Sequence, residues 1–441
     1  MTEQDSGGYR GAGLEMLSRY DIAVGDSIKI ATEDGEMSGV LMPRYESASE
    51  DYIVIKLKSG YNTGIRIGKI KSITKLPKTE SASIDKVHQI TENRDLPRIA
   101  LISTGGTITS KIDYRTGGVR AALSASELYA SVPELANYAS IDPEVLLSEY
   151  SENLKPEHWT MIAEKIAEKV RGGGYRGIVV SHGTDTMHYT AAALSFALKN
   201  LPIPVVLVGA QRSSDRPSSD AALNLLGATV FATKSEYAGV FVAMHASTSD
   251  EAIACHIGTR VRKNHTSRRD AFQSIDVTPI ALVRNSEIEM QKSGIKLAKR
   301  SEVKTLMART KFDGRVSLLK YHPGFDPHLL EYVADAGCKA IILEGTGLGH
   351  VSKECFPALE KVIGAGVNVC MTSQCIWGRV RMTVYNTGRD LLDIGVIPLS
   401  DMISETATVK AMWALANGSD RDFKKTMLEN LAGEISESIP V

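Results

Sequence analysis

The stretch RIALISTGGTITSKIDYRTGG, residues 98–118, decides how this chain is read. An apolar run, Ile99 to Ile102, leads straight into Ser103-Thr104-Gly105-Gly106-Thr107. A strand that ends in paired glycines has two chemical uses: it cradles a phosphate, or it holds a hydroxyl out for attack. A phosphate loop needs GxxxxGK[ST], and a dinucleotide site needs GxGxxG opening a helix. Neither spacing is met, because the glycines are adjacent and Lys111 falls five residues after the second. Taken alone, the loop favours a structural Gly-Gly turn with a capping threonine.

Outward from this strand the texture is α/β. Apolar runs recur at 175–181 (YRGIVVS), 203–209 (IPVVLVG), 238–244 (AGVFVAM) and 278–283 (TPIALV), with helical stretches between them. Near-continuous apolar strands alternating with helices predict a mainly parallel sheet covered on both faces. A second set at 315–321, 338–345 and 366–371, with helices expected at 326–336 and 353–363, predicts a smaller unit of the same kind. Between the sets, RNSEIEMQKSGIKLAKRSEVK reads as an exposed hairpin plus connector. Ahead of Arg98 the pattern changes to five short strand-like runs between residues 22 and 76. They alternate at Ile28/Ile30 and Ile53/Ile55/Leu57, with turn chemistry at EDGE and SGYNTG, and predict a small SH3-like β barrel. The expected division is a tail (1–18), the barrel (19–78), a polar linker (79–95), a large α/β domain (96–305) and a smaller C-terminal α/β domain (306–441).

The bulk numbers set limits. A chain of 441 residues with 43% hydrophobic and 23% charged content is an ordinary globular protein of two or three domains. A net charge of −1 gives no general electrostatic case for holding nucleic acid unaided. Five cysteines without a CxxC pair argue against a disulfide framework or a zinc site, so no metal is expected, and they fit a reducing cytoplasm. The polar, glycine-rich start has no signal-peptide pattern, and no apolar run reaches the ~20 residues of a membrane span.

Ligands of open α/β sheets gather beyond the carboxyl ends of the strands. A second such end also carries a threonine. In GIVVSHGTDTMHYTAAALSFAL, the run Ser181-His182-Gly183-Thr184-Asp185 stands between a strand and an alanine-rich helix. A threonine hydroxyl is a poor nucleophile near neutral pH and needs a base and an oriented electrophile. Thr184-Asp185 offers a hydroxyl with a carboxylate beside it, although Asp185 would also suit a helix N-cap. Further on, GTRVRKNHTSRRDAFQSID (258–276) sets Lys263 among Arg260, Arg262, Arg268 and Arg269, a cluster of the kind that usually forms a solvated surface.

Together and in this order, TGGTI, HGTDT, GAQR.SS…D…NL and K…AFQS resemble the bacterial-type asparaginase/glutaminase amidohydrolases. The resemblance runs from residue 97 to about residue 430 and implies an asparaginase-like two-domain α/β core. It implies Thr107 as the first-loop nucleophile and Tyr114 as the tyrosine that closes over and assists it. Thr184 and Asp185 match the second threonine and its aspartate, and Lys263 the lysine paired with that aspartate. Ser151 and Glu152, in YSENL, fall where the substrate's amino-acid end is bound. Gly106 and Gly183 would meet the substrate through backbone, since amides without a Cβ beside them can approach a developing oxyanion. As a base Lys263 would have to be neutral, and Asp185 favours its charged form, so base and proton shuttle both stay open. Direct attack by water and a covalent acyl-threonine likewise both fit. Asp185 also suits the substrate's α-ammonium. On this reading the glycines present Thr107 and hold no phosphate.

Simple members of this family begin almost at the first strand, which here starts only at Arg98. The barrel ending in GYNTGIRIGKIKSI and the block SQCIWGRVRMTVYNTGRDLLDIGVIP (373–398) resemble the archaeal branch that serves tRNA-dependent amidotransferases. That resemblance implies hydrolysis of L-glutamine as one half-reaction. Its ammonia would pass to a partner, the E subunit of the amidotransferase, which binds tRNA and uses ATP and Mg to turn Glu-tRNA(Gln) into Gln-tRNA(Gln). It also implies self-association to a dimer, and a heterotetramer with two copies of that partner. No nucleotide-binding loop appears in this chain, so no cofactor is expected in it and the ATP chemistry is assigned to the partner. The alternatives are a free-standing L-asparaginase with an accessory N-terminal domain, and a binding protein with a decayed site. The joint presence of Thr107, Thr184, Asp185 and Lys263 weighs against the last. His350 stands where simple members carry an asparagine that reaches a neighbouring protomer, and it is not a catalytic candidate.

Overall fold

The computed structural model describes residues 7–44, 49–57, 62–76, 95–106, 110–112, 119–121, 132–212, 219–302, 305–418 and 423–437. At the N-terminus, Ser27–Thr32, Gly35–Leu41, Tyr52–Leu57, Asn62–Arg66 and Ile70–Lys75 form a five-stranded antiparallel sheet of small-barrel type. The first strand lies between the second and the fifth. Ile28, Ile30, Ile53 and Ile55 are fully buried, so the alternating isoleucines form the interior as period-2 patterning requires. The loose tail expected over 1–18 is corrected in its described part. Gly11–Arg19 is a helix that buries Leu17, and Tyr9 is buried beside it. The Tyr9 hydroxyl donates to the Met42 carbonyl (2.8 Å) and accepts from the Val54 amide (3.0 Å). With so few apolar residues, this helix depends on the barrel it packs against, which propensity alone does not reveal.

The large sheet has five parallel strands in the order Ser140–Val145, Arg98–Ser103, Gly177–Ser181, Pro204–Val208 and Tyr237–His245. Ile253–Ile257, Ala281–Arg284 and Glu287–Met290 extend it antiparallel. The run expected at 278–283 is thus a strand, but an antiparallel one near the edge. Its hairpin turns at Asn285 and Ser286, both with positive φ (45° and 64°), the geometry of a tight two-residue loop. Alternate residues of the strands feed opposite cores. Ile102, Val180 and Leu207 pack with helices Pro156–Gly172 and Met187–Ala197, while Leu101, Val179 and Val206 pack with helix Ala221–Lys234. Arg98–Ser103 is followed in sequence by a strand on one side of it and then by Gly177–Ser181 on the other. The sheet therefore has its switch point where those two strands end side by side.

The C-terminal unit carries a four-stranded parallel sheet, Val316–Lys320, Ala340–Gly345, Asn368–Ser373 and Ile397–Pro398. The two helices expected there are present as His328–Asp335 and Phe356–Gly364. Helix Ser404–Asn417 is buried on both sides. Ala407, Ala411 and Ala414 face the small sheet, and Val409 meets Trp159, Ala192, Ala193 and Phe196 of the large unit. Small side chains permit this close approach. Its one interior cation, Lys410, is paired with Glu434 at 2.5 Å, and both are fully buried.

A second buried pair joins the units. Arg260, 1% exposed, donates to Asp401 Oδ2 (3.0 Å), to the Gly433 carbonyl (2.8 Å) and to Ser436 Oγ (2.7 Å). Burial pushes the Asp401 carboxyl up, but Arg260 and the Ser436 hydrogen bonds more than offset it and hold the group below the usual carboxylate range. The stability this supplies is present above that range and lost as the pH falls through it. Removing the carboxylate strands a buried guanidinium. Asp401→Ala is expected to lower the unfolding free energy by roughly 3–5 kcal/mol in denaturant titration.

Candidate active site

The site is assembled at the carboxyl ends of Arg98–Ser103 and Gly177–Ser181, where two loops are pressed together. Thr104 donates to the Ser181 carbonyl through both its amide (3.0 Å) and its hydroxyl (2.9 Å). Gly106, with φ of +84°, lies so close to the second loop that a Cβ on it would stand 2.6 Å from the Gly183 nitrogen. A Cβ on Gly183 would in turn reach 2.8 Å from Ser151 Cβ. Gly106 is thus required by contact between main chains, and Gly183 by the Ser151 side chain set against it. Thr107 and Tyr114 lie outside the described residues.

On the second loop, Lys263 Nζ donates to Thr184 Oγ1 (2.8 Å) and to Asp185 Oδ1 (2.6 Å). The lysine side chain is 9% exposed and the aspartate 67%, so the pair has a protein side and an open side. Asp185 does not cap the following helix. Thr186 holds the N-cap position of Met187–Ala197, and its hydroxyl donates to the Ser151 carbonyl (2.7 Å). Ser151 is buried and Glu152 exposed at the end of the segment that follows strand Ser140–Val145. The structure therefore brings Gly106, Ser151, Gly183, Thr184, Asp185 and Lys263 to one place and leaves Glu152 on its outer edge. The arginine cluster around Lys263 is solvated only in part: Arg268 is exposed, but Arg260 is buried and Arg262 pairs with Glu405 at 2.6 Å.

His182 fixes the second loop from within. It is fully buried, its Nδ1 stands 2.6 Å from the Gly183 carbonyl and its Nε2 2.8 Å from Thr190 Oγ1. A carbonyl can only accept, so Nδ1 carries the proton and Nε2 accepts from Thr190. Burial lowers the pKa of His182 to about 4. Burial likewise takes neighbouring His188 to about 4. Sequence reading passes over both, since nothing local distinguishes a buried neutral histidine from an exposed one. Among the described residues no group of three or more His, Cys, Asp or Glu is placed to hold a metal, and no helix is long and apolar enough to cross a membrane.

Residues 98–296 match the asparaginase N-terminal family, 315–428 the glutaminase/asparaginase C-terminal domain and 22–76 the GatD N-terminal domain. The glutamyl-tRNA(Gln) amidotransferase D subunit of Pyrococcus furiosus is 48% identical over 96% of this chain and 97% of its own length. The corresponding protein of Methanopyrus kandleri is 44% identical over 97% and 94%. Among solved structures, the thermostable L-asparaginase from Thermococcus kodakarensis superimposes with a TM-score of 0.69 at 34% identity, covering 77% of this chain and all of that one.

The two histidines generate a pH prediction. Their folded values near 4 lie below the ordinary 6.5, so the unfolded chain binds more protons between those limits. Stability is expected to fall as the pH drops from 6.5 towards 4. Thermal unfolding midpoints across that window should show it, with a shallower decline in His182→Asn.

Proposed function

Because the chain belongs to the family of glutamyl-tRNA(Gln) amidotransferase D subunits, we propose that it hydrolyses glutamine and supplies the ammonia for converting Glu-tRNA(Gln) to Gln-tRNA(Gln). It is an amidotransferase subunit with an amidohydrolase core. The observation that carries the finer reading is a threonine, an aspartate and a mostly buried lysine within direct hydrogen-bonding distance, on a chain that also bears the barrel module. ATP, Mg and the acceptor tRNA are assigned to the partner, the E subunit, and this chain is assigned no cofactor. The division into barrel (19–78), linker (79–95), large domain (96–305) and small domain (306–441) belongs to the same proposal.

In the reaction, an oxygen nucleophile adds to the side-chain amide carbon, the C–N bond breaks, and the departing nitrogen needs a proton. Thr107 is the proposed first-loop nucleophile, with Gly106 and Gly183 leaving room for backbone amides beside the oxyanion and Tyr114 closing over them. Thr184, Asp185 and Lys263 form the proton path. As an ammonium, Lys263 donates to both neighbours, and once deprotonated it can receive a proton from a hydroxyl at Thr184. Ser151, Glu152 and the open side of Asp185 suit the amino-acid end of the substrate, where the carboxylate of Asp185 would face an α-ammonium.

The competing reading is a free-standing L-asparaginase, favoured by the superposition on that fold, but it leaves the barrel without a task. Ammonia release from glutamine and from asparagine separates the two. Glutamine turnover by the chain is expected to rise strongly when the partner, Glu-tRNA(Gln), ATP and magnesium are all present. Brisk asparagine turnover indifferent to those additions would overturn the proposal. Thr107→Val and Thr184→Val are each expected to lower kcat by about a hundredfold or more while the chain stays folded. A chain lacking residues 1–80 should keep a cooperative unfolding transition by circular dichroism. Loss of that transition would place the barrel boundary elsewhere.

A further inference from the structure

Lys263 ends a very short strand. Val261–Lys263 pairs only with Phe272–Ser274, a ribbon of three residues a side, which has little stability of its own. Val261 and Phe272 anchor it in the core beside helix Met187–Ala197, and further fastenings come from the far end of the chain. Thr406 Oγ1 donates to the Thr259 carbonyl (2.9 Å) and Thr259 Oγ1 to the Ala432 carbonyl (2.9 Å). Arg260 is held by Asp401, Gly433 and Ser436, and Arg262 Nε donates to Glu405 Oε1 at 2.6 Å. Side chains alternate along a strand, so Arg262 and Lys263 point to opposite sides and are levers on the same short backbone.

Glu405 is well placed to hold that lever. It is 8% exposed and lies in the first turn of helix Ser404–Asn417. That helix also packs along Met187–Ala197, the helix that begins just after Thr184 and Asp185. One rigid element therefore supports both halves of the Lys263 contact. We infer that Glu405 is a positioning residue: by holding Arg262 it sets where Lys263 Nζ stands against Thr184 and Asp185. The C-terminal unit thereby has a direct handle on the proton path, through a side chain that touches no substrate.

This inference rests on the proposed role of Lys263, and the experiment separates the two. Glutamine hydrolysis is measured in the full-length chain, assembled with its amidotransferase partner, for Glu405→Gln, Arg262→Gln, the double variant and Lys263→Ala. Each neutral single variant is expected to lose about tenfold in kcat with KM within about twofold of the starting protein, because a small misplacement of a catalytic group slows the chemical step. The double variant should lose no more than either single one, since both break the same link. Arg262 is about a third exposed, so its variant keeps the test open if Glu405→Gln lowers the unfolding midpoint. Unchanged kcat in a folded Arg262→Gln chain, losses that multiply in the double variant, or a change confined to KM would overturn the positioning role. Full activity in Lys263→Ala would instead overturn the site itself.

Discussion

Helix Ser404–Asn417 is buried at every residue from Ser404 to Ala411. Its alanines rest on the small sheet, Val409 presses against Trp159 and Phe196 of the large unit, and its first turn bonds Thr259 and Arg262. A helix buried on two faces must be largely uncharged along its length, and SETATVKAMWALAN meets that demand with two exceptions, Glu405, which pairs with Arg262, and Lys410. Lys410 is tolerated because Glu434 neutralises it and the Met427 carbonyl accepts from it. Most of what defines the site's protein side, from the Lys263 ribbon to the helix after Thr184, is registered against this one element.

The site has two kinds of precision. The loops are held by close approach of the chain, with the Thr104 amide and hydroxyl both bonded to the Ser181 carbonyl and glycines at 106 and 183, where a Cβ would intrude. The side chains of the proposed proton path are held by charge and direct hydrogen bonds, Lys263 to Thr184 and Asp185. On the proposed mechanism, the first kind fixes where backbone amides face the substrate, and the second where protons travel. Neutral His182 links them, because its ring bonds the Gly183 carbonyl on one side and the helix at Thr190 on the other.

Much of this was legible in the sequence, for reasons specific to each part. Strands such as Gly177–Ser181 and Pro204–Val208 are buried on both faces and read as continuous apolar runs, so the parallel sheet announced itself. Strand Ser140–Val145 did not: an edge strand containing Pro143 and Glu144 carries no such run. The N-terminal helix stayed hidden because Tyr9 and Leu17 become apolar contacts only once the barrel exists. The motif residues Thr184, Asp185 and Lys263 could be singled out, but their fastening could not. Asp401 and Glu405 stand far along the chain from Arg260 and Arg262, and nothing local marks an arginine as buried.

The distance in sequence between those partners has a consequence for the order in which the protein is made. Thr184, Asp185 and Lys263 leave the ribosome well before residues 401–436, which supply the acceptors for Arg260 and Arg262 and the backbone contact at Thr259. Until that last stretch is synthesised, the lysine ribbon has the core packing of Val261 and Phe272 but lacks its fastenings at Thr259, Arg260 and Arg262, and an arginine destined for the interior has no counter-charge. A nascent or prematurely terminated chain can carry every motif residue and still lack the arrangement that joins them. The last fastenings of the site are thus supplied by the last part of the chain to be made.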